Sequence, residues 1–258
     1  MKSTKIIAIS SFPCIGNAGL KPMITILGGH LIPVPSLILT ATTNIKGFVK
    51  TETDFIKLLE GSLELCKSLN YDVILFCGYI YKASQIEFIS DMWVKYKSII
   101  KMVIVDPILG DNNRLYVENE ILIEMPKLLS IADIALPNLT EVKFLSTENK
   151  DINGQLEQLL RLYPSITLIV KGIQIKEGWI GLMVKSGNNT PFNYNHRKLI
   201  KDYGGTGDLF ASYFIYNHIF KQKDIFSSVK KAAQLTIKSI RKSIKLNSPD
   251  LIINGIKL

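Results

Sequence analysis

Short apolar segments alternate with amphipathic segments along the chain, and this order limits the folds open to it. Apolar runs at 71–79 and 166–171 have the length and flanking turn residues of buried strands. The stretches at 52–70 and 155–163 carry apolar residues at helical spacing. Strands that alternate with helices build parallel sheets with helices on both sides. The sequence therefore predicts an α/β fold with a largely parallel central sheet.

Two segments indicate where parallel pairing ends. The run 179–185 follows a strand after a turn at 176–178, so we expect the two strands to pair as an antiparallel ribbon. The run 31–39 is apolar but contains Pro33 and Pro35, and proline in a sheet is confined to edges and bulges. We therefore expect 31–39 to be an edge strand or an interrupted one.

The composition is that of a single folded domain. Of the 258 residues, 47% are hydrophobic and 21% are charged, which excludes an intrinsically disordered chain. No repeat, low-complexity tract or linker divides the sequence, so we predict one domain over residues 1–258. The three cysteines are irregularly spaced, and no segment approaches the roughly 18 apolar residues of a membrane helix. We expect a cytoplasmic protein without a membrane partner.

The positive charge is concentrated in one segment. The formal net charge is +9, and residues 221–245 carry eight basic residues and one acid. Apolar residues recur there at helical spacing, which favours a solvated helix face, and no aromatic platform for nucleic acid accompanies the basic residues. We predict no nucleic-acid partner. A non-catalytic protein that binds nucleotides or nucleic acid is the alternative from another functional class.

The strongest local motif is Gly204-Gly205-Thr206-Gly207-Asp208, which leads into an apolar helical segment. Glycines let backbone N–H groups converge, and the start of the following helix adds partial positive charge. The motif predicts an anion cradle suited to a phosphoryl group, with Asp208 placed to accept a proton from an attacking hydroxyl. The alternative is a glycine-rich turn in which the aspartate is present only because the helix dipole favours an acid in the first turn.

Two further motifs place polar side chains directly after predicted strands. Asp106 and Asp111 belong to one post-strand loop, and Asn138 and Glu141 to another, although Asp-Pro and Pro-Asn are also ordinary turn dipeptides. Ligands of parallel sheets bind beyond the carboxyl ends of the strands, so we expect these side chains and Asp208 at one edge. Oxygen ligands are typical of Mg²⁺ that is shared with substrate phosphates. Together with the glycine motif and Asp208, these post-strand side chains therefore predict phosphoryl transfer to an alcohol.

The motifs at 106–111, 137–141 and 205–211, in this order and spacing, resemble those of the ribokinase-like superfamily. The D-P-x-x-G-D variant combined with G-T-G-D resembles its pyridoxal/pyridoxamine kinase branch. The resemblance implies a three-layer α/β/α ribokinase-like fold, whose mostly parallel central sheet has an antiparallel edge. It also implies a homodimer that uses ATP, Mg²⁺ and a monovalent cation such as K⁺. Its reaction would be phosphorylation of the 5′-hydroxymethyl group of pyridoxal, pyridoxamine or pyridoxine, the salvage route of vitamin B6.

The resemblance further implies a role for each matched residue. The residue matching Asp208 is the base, and the amides matching residues 205–207 form the anion hole. The residues matching Asp106 and Glu141 organise the metal and its waters. The matches to the two ligands, some of which share these roles, are Asp111, Asn138, Lys171 and Thr206 for the nucleotide, and Ser10, Thr43, Tyr79 and Asp208 for the acceptor.

Departures from the family pattern bear on acceptor specificity. Ser11-Phe12 replaces the family's Ser-His, and residues 40–45 replace its S-N-H-T-G-Y stretch. Both changes fall in the predicted acceptor pocket, so hydroxymethylpyrimidine kinase, an enzyme of thiamine biosynthesis, is the alternative activity. Leu136 stands where the family often has threonine, which removes one predicted metal or monovalent-cation contact.

Phosphoryl transfer also needs a lid, because an open site would hydrolyse ATP. The segments 45–53 and 187–203 are the candidate lids, since both are polar and contain Gly, Asn or Lys.

Overall fold

The structure is a computed structural model that describes residues 2–42, 45–148, 151–187 and 189–253. Within these ranges, it forms a nine-stranded sheet and a separate two-stranded hairpin. The strands are β1 (Thr4–Ile15), β2 (Leu31–Ala41), β3 (Lys50–Thr51), β4 (Asp72–Cys77), β5 (Ile100–Val105), β6 (Gly110–Asp111), β7 (Arg114–Leu115), β8 (Ile134–Ala135), β9 (Thr167–Lys176), β10 (Trp179–Ser186) and β11 (Phe192–Arg197). The helices are α1 (Leu20–Leu27), α2 (Phe55–Ser68), α3 (Ala83–Lys95), α4 (Asn119–Ser130), α5 (Leu139–Leu145), α6 (Ile152–Leu162), α7 (Thr206–Ile215) and α8 (Ile225–Lys245).

The strand order in the sheet is β11-β10-β9-β8-β5-β4-β1-β2-β3. All pairs from β9 across to β2 are parallel. The pairs β9–β10 and β10–β11 are antiparallel at one margin, and β2–β3 is antiparallel at the other. The predicted mostly parallel sheet with an antiparallel edge is therefore confirmed, and the β2–β3 pair adds a second antiparallel margin.

The prolines of β2 lie where its outer side carries no strand. Pro33 and Pro35 are aligned with Ala8 and Ser10 of β1. On the opposite side of β2, the short strand β3 pairs only with Ile38 and Leu39, as far as the described residues show. The proline part of β2 is thus a free edge, as the sequence predicts, because proline has no N–H to give to a further strand.

Apolar side chains pack on both faces of the sheet, which gives the fold its three layers. One core joins the sheet to α2, α3, α4 and α6, and the other joins it to α1, α7 and α8. In β1, Ile7 and Ile9 belong to the first core, whereas Ile6 and Ala8 belong to the second. Successive strand residues point to opposite faces, so a continuous apolar run is what a doubly covered strand needs.

Helix α7 is positioned by the burial of all but its first two residues. Every residue from Asp208 to Ile215 is buried, and the helix packs against both α1 and α8. This explains why apolar residues occur on all sides of α7 in the sequence. This packing holds the start of α7 beside the carboxyl ends of the parallel strands.

One region differs from what the patterns predicted. The candidate lid at 187–203 contains the edge strand β11, so residues 192–197 are not part of a loop. No bounds were predicted for α5, whose first turn contains Glu141 of the 137–141 motif, or for α4, which contains Pro126. In the part of the chain that the structure describes, no helix is both long and apolar enough to cross a membrane.

Candidate active site

The turn before α7 has the backbone conformation that its glycines predict. Gly205 is the N-cap, with φ of +84° and ψ of 2°. The Thr206 hydroxyl donates a hydrogen bond to the Tyr203 carbonyl oxygen at 2.7 Å, which closes the turn. The first N–H groups of a helix have no partner within it. Here residues 204–208 line a cavity, so these groups are placed to meet an anion.

Replacing Gly205 with alanine is expected to lower the unfolding temperature by at least about 2–4 °C. An ideal Cβ on Gly205 would lie 2.0 Å from the carbonyl oxygen of Asn17, and its positive φ strains any other residue. Gly204 is the matched control, because its Cβ would meet no heavy atom within 4 Å among the described residues. Calorimetric unfolding temperatures of the two variants test this, and equal values would contradict the packing described here.

Asp208 lies in the first turn of α7 and is buried. Its Oδ2 accepts a hydrogen bond from the Gly19 backbone N–H at 2.8 Å. Burial raises the pKa of Asp208 to about 6, whereas the Gly19 N–H opposes this rise. The carboxylate is therefore mostly ionised at neutral pH and still basic enough to take a proton from an alcohol.

Lys171 lies between the acids and the start of α7. Its Nζ donates to both carboxylate oxygens of Asp106, at 2.7 and 2.9 Å. An ideal Cβ on Gly207 would be 3.6 Å from the same Nζ. Burial lowers the pKa of Lys171, but the charges of Asp106, Glu141 and Asp208 together raise it above its usual value. Lys171 is consequently a permanent positive charge beside the cradle.

Glu141 and Asn138 form a capping box at the start of α5. Glu141 Oε2 accepts from the Asn138 N–H at 2.7 Å, and Asn138 Oδ1 accepts from the Glu141 N–H at 3.0 Å. Asn138 Nδ2 donates to the Gly110 carbonyl oxygen at 2.8 Å, which joins the two post-strand loops. Burial raises the pKa of Glu141 to about 8, and the charge of Lys171 opposes it.

The acids fit a magnesium ion that is shared with phosphates better than a metal held by protein alone. No group of three or more His, Cys, Asp or Glu side chains capable of holding a metal occurs in the described ranges. Both oxygens of Asp106 face Lys171, and both oxygens of Glu141 accept backbone N–H groups. Mg²⁺ in kinase sites takes one or two carboxylates, waters and substrate phosphates. Asp106 and Glu141 suit contacts to such an ion through its waters.

A cavity of about 500 Å³ connects these groups. Asp106, Glu141, Lys171 and Asp208 line its charged part, and the exposed Asp111 of the β6–β7 hairpin also lines it. Apolar side chains from β10, α7 and α8 line the rest: Ile180, Leu182, Phe210, Ala233, Ile237 and Ile240. The shape suits a ligand with a charged end and an apolar end, which a nucleotide has.

Of the residues predicted for the acceptor, Asp208 lines this cavity, whereas Ser10 and Tyr79 do not. The Ser10 hydroxyl is fully buried and accepts from the Tyr79 N–H at 3.2 Å. The Tyr79 carbonyl oxygen accepts from the Ser36 hydroxyl at 2.6 Å, and burial raises the pKa of the Tyr79 phenol. Thr43 lies outside the described residues. Ser10 thus supports Tyr79, and contact of either with an acceptor stays a prediction.

Several groups at the site were not predicted from the sequence. Gly19 is the most important, because its N–H binds Asp208 and its own Cβ would lie 2.0 Å from the Ser11 carbonyl oxygen. The sequence signal for this group was the pair of glycines at 16 and 19, and both have a positive φ in the structure. The cavity residues of β10 and α8 gave no signal of their own, because apolar residues there are equally typical of a core.

Comparisons with known proteins bear on this site and fold. A family model described as phosphomethylpyrimidine kinase matches residues 27–254. A pyridoxal kinase from Dictyostelium discoideum is 28% identical over 257 residues, covering 90% of this chain and 83% of that protein. The crystal structure of pyridoxal kinase from Entamoeba histolytica has a TM-score of 0.86 at 24% identity, covering 98% of this chain and 93% of that one. Pyridoxal kinase from Leishmania donovani in complex with ADP and pyridoxine has a TM-score of 0.81 at 21% identity, covering 96% and 92%.

The three-layer architecture is the ribokinase-like fold of these kinases, as the motifs predicted. The chain belongs to the phosphomethylpyrimidine kinase family, whose model matches most of its length. The resemblance to the pyridoxal kinase branch is confirmed by relatives of that description. The chain is therefore a kinase of the pyridoxal/phosphomethylpyrimidine kinase family.

Proposed function

We propose that this kinase transfers the γ-phosphoryl group of ATP to the 5′-hydroxymethyl group of pyridoxal, pyridoxamine or pyridoxine. The observation that carries the proposal is the buried Asp208 carboxylate beside the glycine turn of α7, next to the Lys171–Asp106 pair. The acceptor is supported by the relatives, among them a Dictyostelium pyridoxal kinase and a Leishmania pyridoxal kinase that binds ADP and pyridoxine.

The proposed reaction is a direct in-line transfer. The acceptor oxygen forms a bond to the γ-phosphorus while the bond to the leaving oxygen of ADP breaks, and the hydroxyl proton goes to Asp208. Negative charge spread over the phosphoryl oxygens would meet the amides of residues 205–207 and the Lys171 ammonium. Asp111 and Asn138, which line the same cavity, are the further proposed contacts near the nucleotide phosphates.

The residues also bear on the ions that the resemblance implies. Asp106 and Glu141 would hold Mg²⁺ through its waters, and the bound ion would supply positive charge at the phosphates. A monovalent cation such as K⁺ stays a prediction of the resemblance. Leu136, which is fully buried, offers no side-chain oxygen to such an ion.

Hydroxymethylpyrimidine is the second candidate acceptor. The matching family model carries the name of phosphomethylpyrimidine kinase, and both acceptors are flat aza-aromatic alcohols. The departures at 11–12 and 40–45 fall in the predicted acceptor pocket, so acceptor choice would depend on residues that differ from the family pattern.

An ADP-release screen over pyridoxal, pyridoxamine, pyridoxine and hydroxymethylpyrimidine tests the proposal. We expect acceptor-dependent ADP release with the highest kcat/KM for a B6 vitamer, against a blank without acceptor that reports ATP hydrolysis. A higher kcat/KM for the pyrimidine would reverse the ranking of the two acceptors. Salt-sensitive binding to duplex DNA, with no turnover of any acceptor, would favour the non-catalytic alternative.

A further inference from the structure

Thr236 is a polar residue in an apolar part of the cavity. It lies on α8, is only 5% exposed and lines the cavity. Ala233, Ile237 and Ile240 line it from the same helix. Each of the four positions lies three or four residues from two of the others, so all four lie on one face of α8. Thr236 is therefore the polar residue that this face of α8 brings to the cavity.

The hydroxyl of Thr236 lacks the hydrogen bond that such groups normally have. Its Oγ1 is buried, and no partner for it occurs among the described residues. Ser243, on the same helix, differs: its hydroxyl donates to the Ser239 carbonyl oxygen at 3.0 Å and accepts from the Ile252 N–H at 2.7 Å. Buried hydroxyls are nearly always paired, and an exception calls for a reason such as a ligand.

The surroundings indicate which part of a ligand would reach Thr236. The phosphates of a nucleotide belong at the charged part of the cavity, beside Lys171 and residues 204–208. The flat base, whose ring faces can pack on apolar side chains, would then extend toward α8, Leu182 and Phe210. Threonine in a helix has two accessible χ1 rotamers, so its hydroxyl can turn toward a base without a change of backbone. A base presents both donors and acceptors at its edges, and a hydroxyl can serve either.

We propose that the Thr236 hydroxyl hydrogen-bonds the nucleobase of the phosphoryl donor and so sets part of the affinity for nucleotide. This inference rests on the proposed function, since it takes the cavity to be the nucleotide site. Thr236 is then a nucleotide-binding residue whose hydroxyl has no hydrogen-bond partner among the described residues when no ligand is bound.

The test compares Thr236→Val, which keeps the shape and removes the hydroxyl, with Thr236→Ser, which keeps the hydroxyl. Isothermal titration with ADP should give a dissociation constant about 3- to 10-fold higher for the valine variant, the usual scale for one lost hydrogen bond. The serine variant should bind ADP nearly as the unmodified protein does. Without nucleotide, Thr236→Val should unfold at the same or a higher temperature, because it removes an unpaired buried group.

Ser243→Ala is the control on the same helix. It should lower the unfolding temperature, because it leaves the Ile252 N–H without its partner, and it should not change the ADP dissociation constant. Unchanged ADP affinity in Thr236→Val, or a loss of stability in it matching that of Ser243→Ala, would overturn this inference alone. Failure of the unmodified protein to bind ADP would overturn the proposed function together with it.

Discussion

Replacing Asp208 with asparagine is expected to lower kcat by about 10²–10⁴-fold, the usual effect of losing a general base, with ATP affinity nearly unchanged. Asparagine keeps the size of the side chain and can still accept the Gly19 N–H, which Asp208 Oδ2 accepts at 2.8 Å. It cannot take the proton of the acceptor hydroxyl. The measurement is steady-state turnover with saturating ATP and the best acceptor of the screen, beside nucleotide titration of both proteins.

The same substitution separates a catalytic role from a structural one through its effect on stability. Burial raises the pKa of Asp208 from 3.8 to about 6 in the folded protein, so the folded state resists ionisation of this group. Stability from such a group falls as pH rises between those values. At pH 8 the asparagine variant should therefore have a free energy of unfolding higher by roughly 1–3 kcal/mol.

Asp91, exposed on α3, provides the control for Asp208. Asp91→Asn should change neither turnover nor stability appreciably, because exposed substitutions away from special features have small effects. Near-normal turnover of Asp208→Asn would remove the base assignment. Reduced turnover accompanied by an equal loss of folded protein would instead assign Asp208 to the fold.

Replacing Lys171 with methionine is the second change with a large expected effect. It removes the ammonium that contacts both oxygens of Asp106, whose side chain is 1% exposed, and leaves that buried charge unpaired. Breaking a buried ion pair in this way typically costs about 3–5 kcal/mol of unfolding free energy. ADP affinity should also fall by more than about tenfold, since a charge-assisted contact to phosphate is lost.

The pH dependence of the Lys171→Met defect identifies its electrostatic cause. Burial already raises the pKa values of Asp106 and Glu141, and both lose the opposing charge of Lys171 in this variant. Their pKa values therefore rise further, and protonation relieves the repulsion. The loss of stability should be greatest near pH 8 and smaller near pH 5.

Denaturant titrations at the two pH values test this pH dependence. The matched control is Lys230→Met, which changes an exposed lysine of α8. A stability loss in Lys171→Met that is independent of pH, or no larger than that of Lys230→Met, would contradict the role of Lys171 as the counter-charge.

The sequence predicted the parts of the fold that follow from local rules. Apolar runs long enough only for strands gave the parallel centre of the sheet, and the missing N–H groups of Pro33 and Pro35 gave its free edge. The proximity of Asp106, Glu141 and Asp208 was also predictable, because parallel strands bring their carboxyl ends to one side. Their catalytic and metal roles stay predictions until the variants are measured.

The contacts that set the chemistry were not predictable, because they join distant parts of the chain. The Gly19 N–H reaches Asp208 across 189 residues, and Lys171 reaches Asp106 across 65. No local pattern encodes such pairs. Strand β11 does have a local pattern, because the half-buried Phe192, Tyr194 and His196 alternate with exposed residues. The pattern was not recognised because both of its faces carry polar residues.

The most direct test of the account is the pH dependence of kcat/KM in the unmodified kinase and in Asp208→Asn. Burial raises the pKa of Asp208 to about 6, so activity of the unmodified protein should rise with pH around that value and then level off. The residual activity of the asparagine variant should show no such rise. An acidic limb of the same midpoint in both proteins would contradict the assignment of Asp208 as the group that accepts the acceptor's proton.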